Sequence, residues 1–151
     1  MKKSILVAMV SVLFALSTAS VALAQQKVPA GPPPIVNEMV AKAKAAVKSV
    51  PADEVKAAVE KKEKVVLLDV RDPNEFAAGH LPGAVSVSRG LLEWRIWSAV
   101  PDQNAKIFVY CRTGGRATLA TKVLNDLGYK NALLAGIHYE DWVKANLPVE
   151  R

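Results

Sequence analysis

Lys106-Ile107-Phe108-Val109-Tyr110-Cys111-Arg112-Thr113-Gly114-Gly115-Arg116 decides how the rest of the chain is read. Residues 106–110 are apolar after the first position and do not alternate, which predicts a strand buried on both faces. From Arg116 to Leu127, Ala117, Ala120, Val123, Leu124 and Leu127 recur on one helical face, and Gly128 supplies the stop. A buried strand, a glycine loop and a helix make the start of a crossover in an α/β sheet. Ligand sites in such sheets gather at the carboxyl ends of the strands, and Cys111 sits at that end.

The same alternation continues on both sides. Val65 to Val70 forms a second continuous apolar run, interrupted only by Asp69, and predicts another buried strand. Asp72-Pro73 opens a short helix to Ala78, stopped by Gly79. Ala84 to Val87 and Ala132 to Leu134 read as short strands; Leu91 to Ala99 and Tyr139 to Ala145 read as helices. Pro51-Ala52 starts a helix to about Lys61, with Asp53 and Glu54 in its first turn, where the helix dipole favours acids. The fold class is therefore α/β, with a mostly parallel sheet flanked by helices and no internal repeat.

Upstream of this domain, expected over 49–151, three further segments are expected. Over 35–48, Val36, Val40, Ala43 and Val47 fall on one stripe with Lys42, Lys44 and Lys48 off it, an amphipathic helix laid against the domain. Residues 25–34 carry Pro29, Pro32, Pro33 and Pro34 and read as an extended linker. Residues 1–24 read as a signal peptide: Lys2 and Lys3, an apolar stretch from Ile5, then Ala22-Leu23-Ala24 for cleavage. The expected protein is exported, periplasmic in a Gram-negative cell or otherwise secreted, with no stable membrane anchor after cleavage.

Of 151 residues, 20 are Lys or Arg and 14 Asp or Glu, a net +6, and 51% are hydrophobic. That composition excludes a wholly disordered chain. Loss of Lys2 and Lys3 leaves a net +4, too modest to argue for nucleic-acid binding. Cys111 is the one cysteine, so an internal disulfide is excluded. In an oxidising compartment it is a buried inert thiol, an intermolecular disulfide or a reactive group. Its surroundings favour the last. Gly114 and Gly115 let the loop curl its backbone N–H groups inward, the next helix adds its positive end, and Arg112 and Arg116 add charge. Each of these stabilises negative charge on sulfur or on a bound anion.

Two separated motifs give the chain a specific resemblance. Leu68-Asp69-Val70-Arg71, Glu75-Phe76 and Gly79-His80-Leu81-Pro82-Gly83-Ala84 form one, and Cys111-Arg112-Thr113-Gly114-Gly115-Arg116 the other. In this order they resemble the rhodanese family of sulfurtransferases, from Val50 to about Arg151. The resemblance implies a single-domain rhodanese with about five parallel strands. It also implies that Cys111 takes sulfur from thiosulfate as a persulfide and passes it to cyanide or a thiol. Arg112, Thr113, Gly114, Gly115 and Arg116 would hold the anion, and neither metal nor organic cofactor would be needed.

The alternatives are a rhodanese-fold cysteine phosphatase or arsenate reductase, and a non-catalytic sulfur- or protein-binding module. Phosphatases generally show five residues between Cys and Arg, whereas Cys111 and Arg116 enclose four. Asp69 and Arg71 are expected to support the site, Asp69 by pairing with a loop arginine. His80 is expected to brace its turn. His138 has no partner at metal spacing. Arg89 and Arg95 either rim the pocket or lie exposed. Trp94, Trp97 and Trp142 are expected in the core. Ala135-Gly136 stand two residues further from Trp142 than the family pattern, which leaves the wall at His138 and Tyr139 open.

Overall fold

Strand β4, Ile107–Tyr110, is the centre of a five-stranded parallel sheet. The computed structural model describes residues 31–151, so the expected signal peptide and residues 25–30 lie outside it. In chain order the elements are α1 (Pro34–Ala46), β1 (Ser49–Val50), α2 (Ala52–Glu60), β2 (Val66–Asp69), α3 (Pro73–Ala78) and β3 (Val85–Ser86). A 3-10 turn at Arg89–Leu91 leads into α4 (Leu92–Ala99), followed by β4, α5 (Gly115–Asp126), β5 (Ala132–Ala135) and α6 (Tyr139–Lys144). The strand order is β1-β5-β4-β2-β3.

The unalternating apolar runs are explained by helices on both faces. Ile107, Val109 and Cys111 join Leu68, Val70 and residues of α4 and α5 in one core. Phe108, Tyr110 and Leu67 point the other way, into a core with Val55 and Ala58 of α2 and Trp142 of α6. Each residue of β4 is buried because the pleat sends successive side chains into opposite cores. At 25 cal/mol per Å² or so, burial of this kind is the main stabilising force on the sheet.

Three details depart from the sequence reading. The edge strand β1 was not visible in the residues: it is two residues long and pairs Ser49 with Leu134 and Val50 with Ala135. A strand that short carries no periodicity. Its neighbour explains Gly136, where a Cβ would lie 2.5 Å from the Val50 carbonyl oxygen. Second, α5 begins at Gly115, a residue before the predicted start. Third, only Trp142 is a core tryptophan; Trp94 is 83% exposed and Trp97 44%. Helix α4 turns Leu92 and Ile96 inward, one turn apart, which puts Trp94 on the outer side. Trp97 instead donates its indole N–H to the Glu93 carbonyl and tilts against Tyr129.

Helix α1 packs against α5. Its buried Ala43 and half-buried Val36, Val40 and Val47 form the stripe that meets the domain. Among the described residues no helix is long and apolar enough to cross a membrane.

Candidate active site

Cys111 follows β4 directly and is 1% exposed. The chain then curls so that Gly114 N–H donates to the Cys111 Sγ at 3.1 Å and Ala117 N–H at 3.4 Å. These groups are available because the first N–H groups of a helix have no partner within it. Gly114 takes φ +109°, a conformation that side chains rarely adopt, and thereby lets α5 start directly behind the sulfur. Ala117 lies beyond the motif singled out in the sequence. Its signal was the free first turn of the helix, which extends past the glycines.

The remaining loop residues surround this core. Thr113 and Arg112 are exposed, and Gly115 and Arg116 half-buried. Arg112 donates to Glu140 of α6 at 2.6 Å. Arg116 makes two hydrogen bonds to Glu75 of α3, at 2.6 and 2.9 Å, and one to Asp72 at 3.3 Å. Glu75 responds by titrating at about 2, chiefly through the Arg116 hydrogen bond. Arg116 in turn is held above its ordinary value, by Glu75 first, with smaller contributions from Cys111 and Asp72. Both loop arginines thus spend their charge on carboxylates of flanking helices.

Asp69 and Arg71 correct an expectation. Asp69 pairs with Arg71, two residues on, and not with a loop arginine. The Arg71 Nη2 lies 2.6 Å from Asp69 Oδ2, its backbone N–H donates to Oδ1 at 2.9 Å, and Nη2 also reaches the Gly79 carbonyl at 2.7 Å. Asp69 is 0% and Arg71 2% exposed. Burial opposes the Arg71 charge, but hydrogen bonding and attraction from Asp69 outweigh it, and its pKa rises. The guanidinium also stacks 3.9 Å from the Tyr139 ring centroid. Burial, then the nearby Asp69, raises the Tyr110 phenol, whose oxygen accepts the Leu81 N–H. This cluster joins β2, the 79–81 turn and α6 below the loop.

The 136–142 segment forms the next wall. Tyr139 N–H donates to the Cys111 carbonyl at 3.0 Å and Glu140 N–H to that of Arg112 at 3.2 Å. The His138 ring stands over Gly114, where a Cβ would meet Nε2 at 2.7 Å, and its Nδ1 is buried without a hydrogen-bond partner. Burial lowers the His138 pKa, with Asp141 opposing and Lys44 adding to the depression. A cleft of about 550 Å³ opens beside the loop, between Arg71, Glu75, Arg112, Tyr139, Glu140 and Lys144. His80 braces its turn through Nδ1 and the Phe76 carbonyl at 3.0 Å, stacked on the Phe76 ring. Arg89 pairs with Glu93, and Arg95 is exposed. Among the described residues no cluster of three or more His, Cys, Asp or Glu could hold a metal ion.

The family model of the rhodanese-like domain matches residues 51–145, a span that holds β2 to β5 and the cysteine loop. The chain belongs to the rhodanese-like family. The thiosulfate sulfurtransferase PspE of Escherichia coli K12 is 35% identical to it over 69 residues, 46% of this chain and 66% of PspE. The chain thus spans just under two thirds of that relative. Among solved structures, the polysulfide-sulfur transferase homodimer of Wolinella succinogenes superposes with a TM-score of 0.64 at 27% identity, over 78% of this chain and 88% of that one. A Rhodopseudomonas palustris protein of unknown function, described as a possible tyrosine phosphatase, gives 0.67 at 26%, over 83% and 98%.

Proposed function

We propose that this rhodanese domain transfers sulfane sulfur from thiosulfate, or a related anionic donor, through a persulfide on Cys111. The Cys111 thiolate attacks the outer sulfur of thiosulfate. A new S–S bond forms, the S–S bond of thiosulfate breaks, and sulfite leaves with the electron pair. Cyanide then attacks the terminal sulfur, or a thiolate does so, giving thiocyanate or a new persulfide and returning the Cys111 thiolate. The N–H groups of Gly114 and Ala117 that hold the sulfur compensate its charge in both half-reactions. Asp69 and Arg71 support the loop from below without touching the reacting atoms. Residues 1–24 serve for export in this reading, and the domain works outside the cytoplasm.

The observation that carries this reading is the sulfur at the strand end, accepting two backbone N–H groups from a tight loop closed at Arg116. The same loop disfavours phosphatase chemistry. A phosphate-transferring cysteine loop needs its arginine on the substrate, whereas Arg116 is engaged by Glu75 and Asp72. Thiosulfate should add one sulfur atom to the protein, seen by intact mass, and cyanide should remove it. Aryl phosphate hydrolysis should be negligible beside thiocyanate formation. Phosphate turnover without sulfur loading would replace this reading with the phosphatase one.

A further inference from the structure

Helix α1 lies outside the span matched by the family model, 51–145, and yet stands at the cysteine loop. A Cβ on Gly115 would meet Val40 Cγ2 at 4.0 Å, so α1 touches the first residue of α5. One turn after Val40 comes Lys44, exposed at the flank of the apolar stripe. Side chains on a helix lean toward its N-terminus, which brings the Lys44 ammonium back toward the level of Val40 and Gly115. The His138 ring covers Gly114, the neighbouring loop residue. Lys44 also adds, after burial, to the depression of the His138 pKa, in keeping with that position.

The charge balance around the loop makes that position consequential. Arg112 is paired with Glu140, Arg116 with Glu75 and Asp72, and Asp141 has Lys144 at 3.8 Å. Among the described residues Lys44 takes part in no ion pair. Cys111 is 1% exposed, and two groups stand against the loop that holds it, the His138 ring over Gly114 and Val40 of α1 beside Gly115.

We propose that α1 forms a wall of the cysteine site and that Lys44 selects for anionic donors on their way to Cys111. This rests on the sulfur-transfer reading for its natural donor, but the charge selection is a property of the thiol itself and can be read without turnover.

The test compares iodoacetate, an anion, with neutral iodoacetamide on the mature protein at low ionic strength. In both, a Cys111 S–C bond forms and iodide leaves, and only the reagent charge differs. Lys44→Ala should lower the ratio of iodoacetate to iodoacetamide rates roughly three-fold and Lys44→Glu roughly ten-fold, as for one and two unit charges acting through solvent. Lys44→Arg should keep the wild-type ratio. Lys61→Glu, just past the end of α2 on the other face of the sheet, should leave it unchanged. With thiosulfate, Lys44→Ala should raise KM with kcat nearly unaltered. An unchanged ratio in Lys44→Glu, or an equal fall in Lys61→Glu, overturns the proposal. A shifted ratio in a protein that transfers no sulfur would overturn the sulfurtransferase reading and leave the role of Lys44 standing.

Discussion

At the carboxyl end of β2 the chain buries Asp69 and Arg71; at the end of β4, the adjacent strand, it buries Cys111. The two ends are level, since Asp69 pairs in register with Tyr110. At β2 the carboxylate and guanidinium satisfy one another, and the Gly79 carbonyl takes the surplus N–H. At β4 the sulfur is met only by backbone N–H groups, from Gly114 and Ala117. A donor set matched to a fixed anion is closed to substrate. One built from backbone N–H groups around a small sulfur atom can serve thiol, thiolate and persulfide in turn. Structural and reactive burial of polar atoms thus stand side by side, and substitution should separate them.

The largest effect belongs to the sulfur. Cys111→Ser should abolish sulfur loading, since the chain has no second thiol. Its hydroxyl can still accept the two N–H groups, so unfolding free energy should change by about 1 kcal/mol or less. Mass spectrometry after thiosulfate and urea unfolding measure the two arms. Sulfur transfer surviving in Cys111→Ser would break the comparison outright.

At β2 the expectation reverses. Asp69→Ala leaves the Arg71 charge buried without its partner and should destabilise the domain by about 3–5 kcal/mol. Asp69→Leu with Arg71→Met removes both charges and should recover at least half of that loss. Molecules of Asp69→Ala that remain folded in the cold should still load sulfur. A stability cost under about 1 kcal/mol would mean that the pair is not what holds this strand end.

Gly114→Ala sharpens the loop side. Its φ of +109° and the His138 Nε2 at 2.7 Å from a Cβ combine backbone strain with a clash. A loss on the order of 2 kcal/mol should follow. Sulfur loading should slow as well, because the Gly114 N–H would leave its place on Sγ. Wild-type stability and loading rate together in this variant would show that the loop does not need glycine here.

The sequence was most informative where a pattern is local. The strand before Cys111, the glycine loop and the helix after it all follow from apolar runs and turn residues within some twenty positions. So does the stripe of α1. Charge partners are another matter. Glu75 is 41 residues from Arg116 and Glu140 is 28 from Arg112, and nothing in the composition joins them. The expected link from Asp69 to a loop arginine failed for the same reason. Arg71 lay nearer along the same strand end and could enter the same buried space. The exposure of Trp94 was missed because an apolar residue in a helix suggests a core, while the actual face is set by Leu92 and Ile96.

The smallest effect concerns Glu75, which joins the two regions by caring for both Arg116 and the start of α3. Its carboxylate accepts the Asp72 N–H at 3.1 Å within a capping box and takes two hydrogen bonds from Arg116. Those contacts lower its folded-state pKa to about 2. In the unfolded chain the same carboxyl titrates near ~4.3. Between these values the unfolded state binds more protons, so stability falls as pH drops through that window. The contribution is fully present above the unfolded value. Arg116 and Glu75 are part-exposed, and solvent screening should hold the loss to about 1 kcal/mol. Glu75→Gln should therefore be less stable than wild type at pH 7 by that amount and should flatten the acid limb of the stability curve. Chemical unfolding from pH 7 down to pH 2 measures both. An acid limb as steep in Glu75→Gln as in wild type would place the pH sensitivity elsewhere, and Arg116 would then owe its position to Asp72 alone.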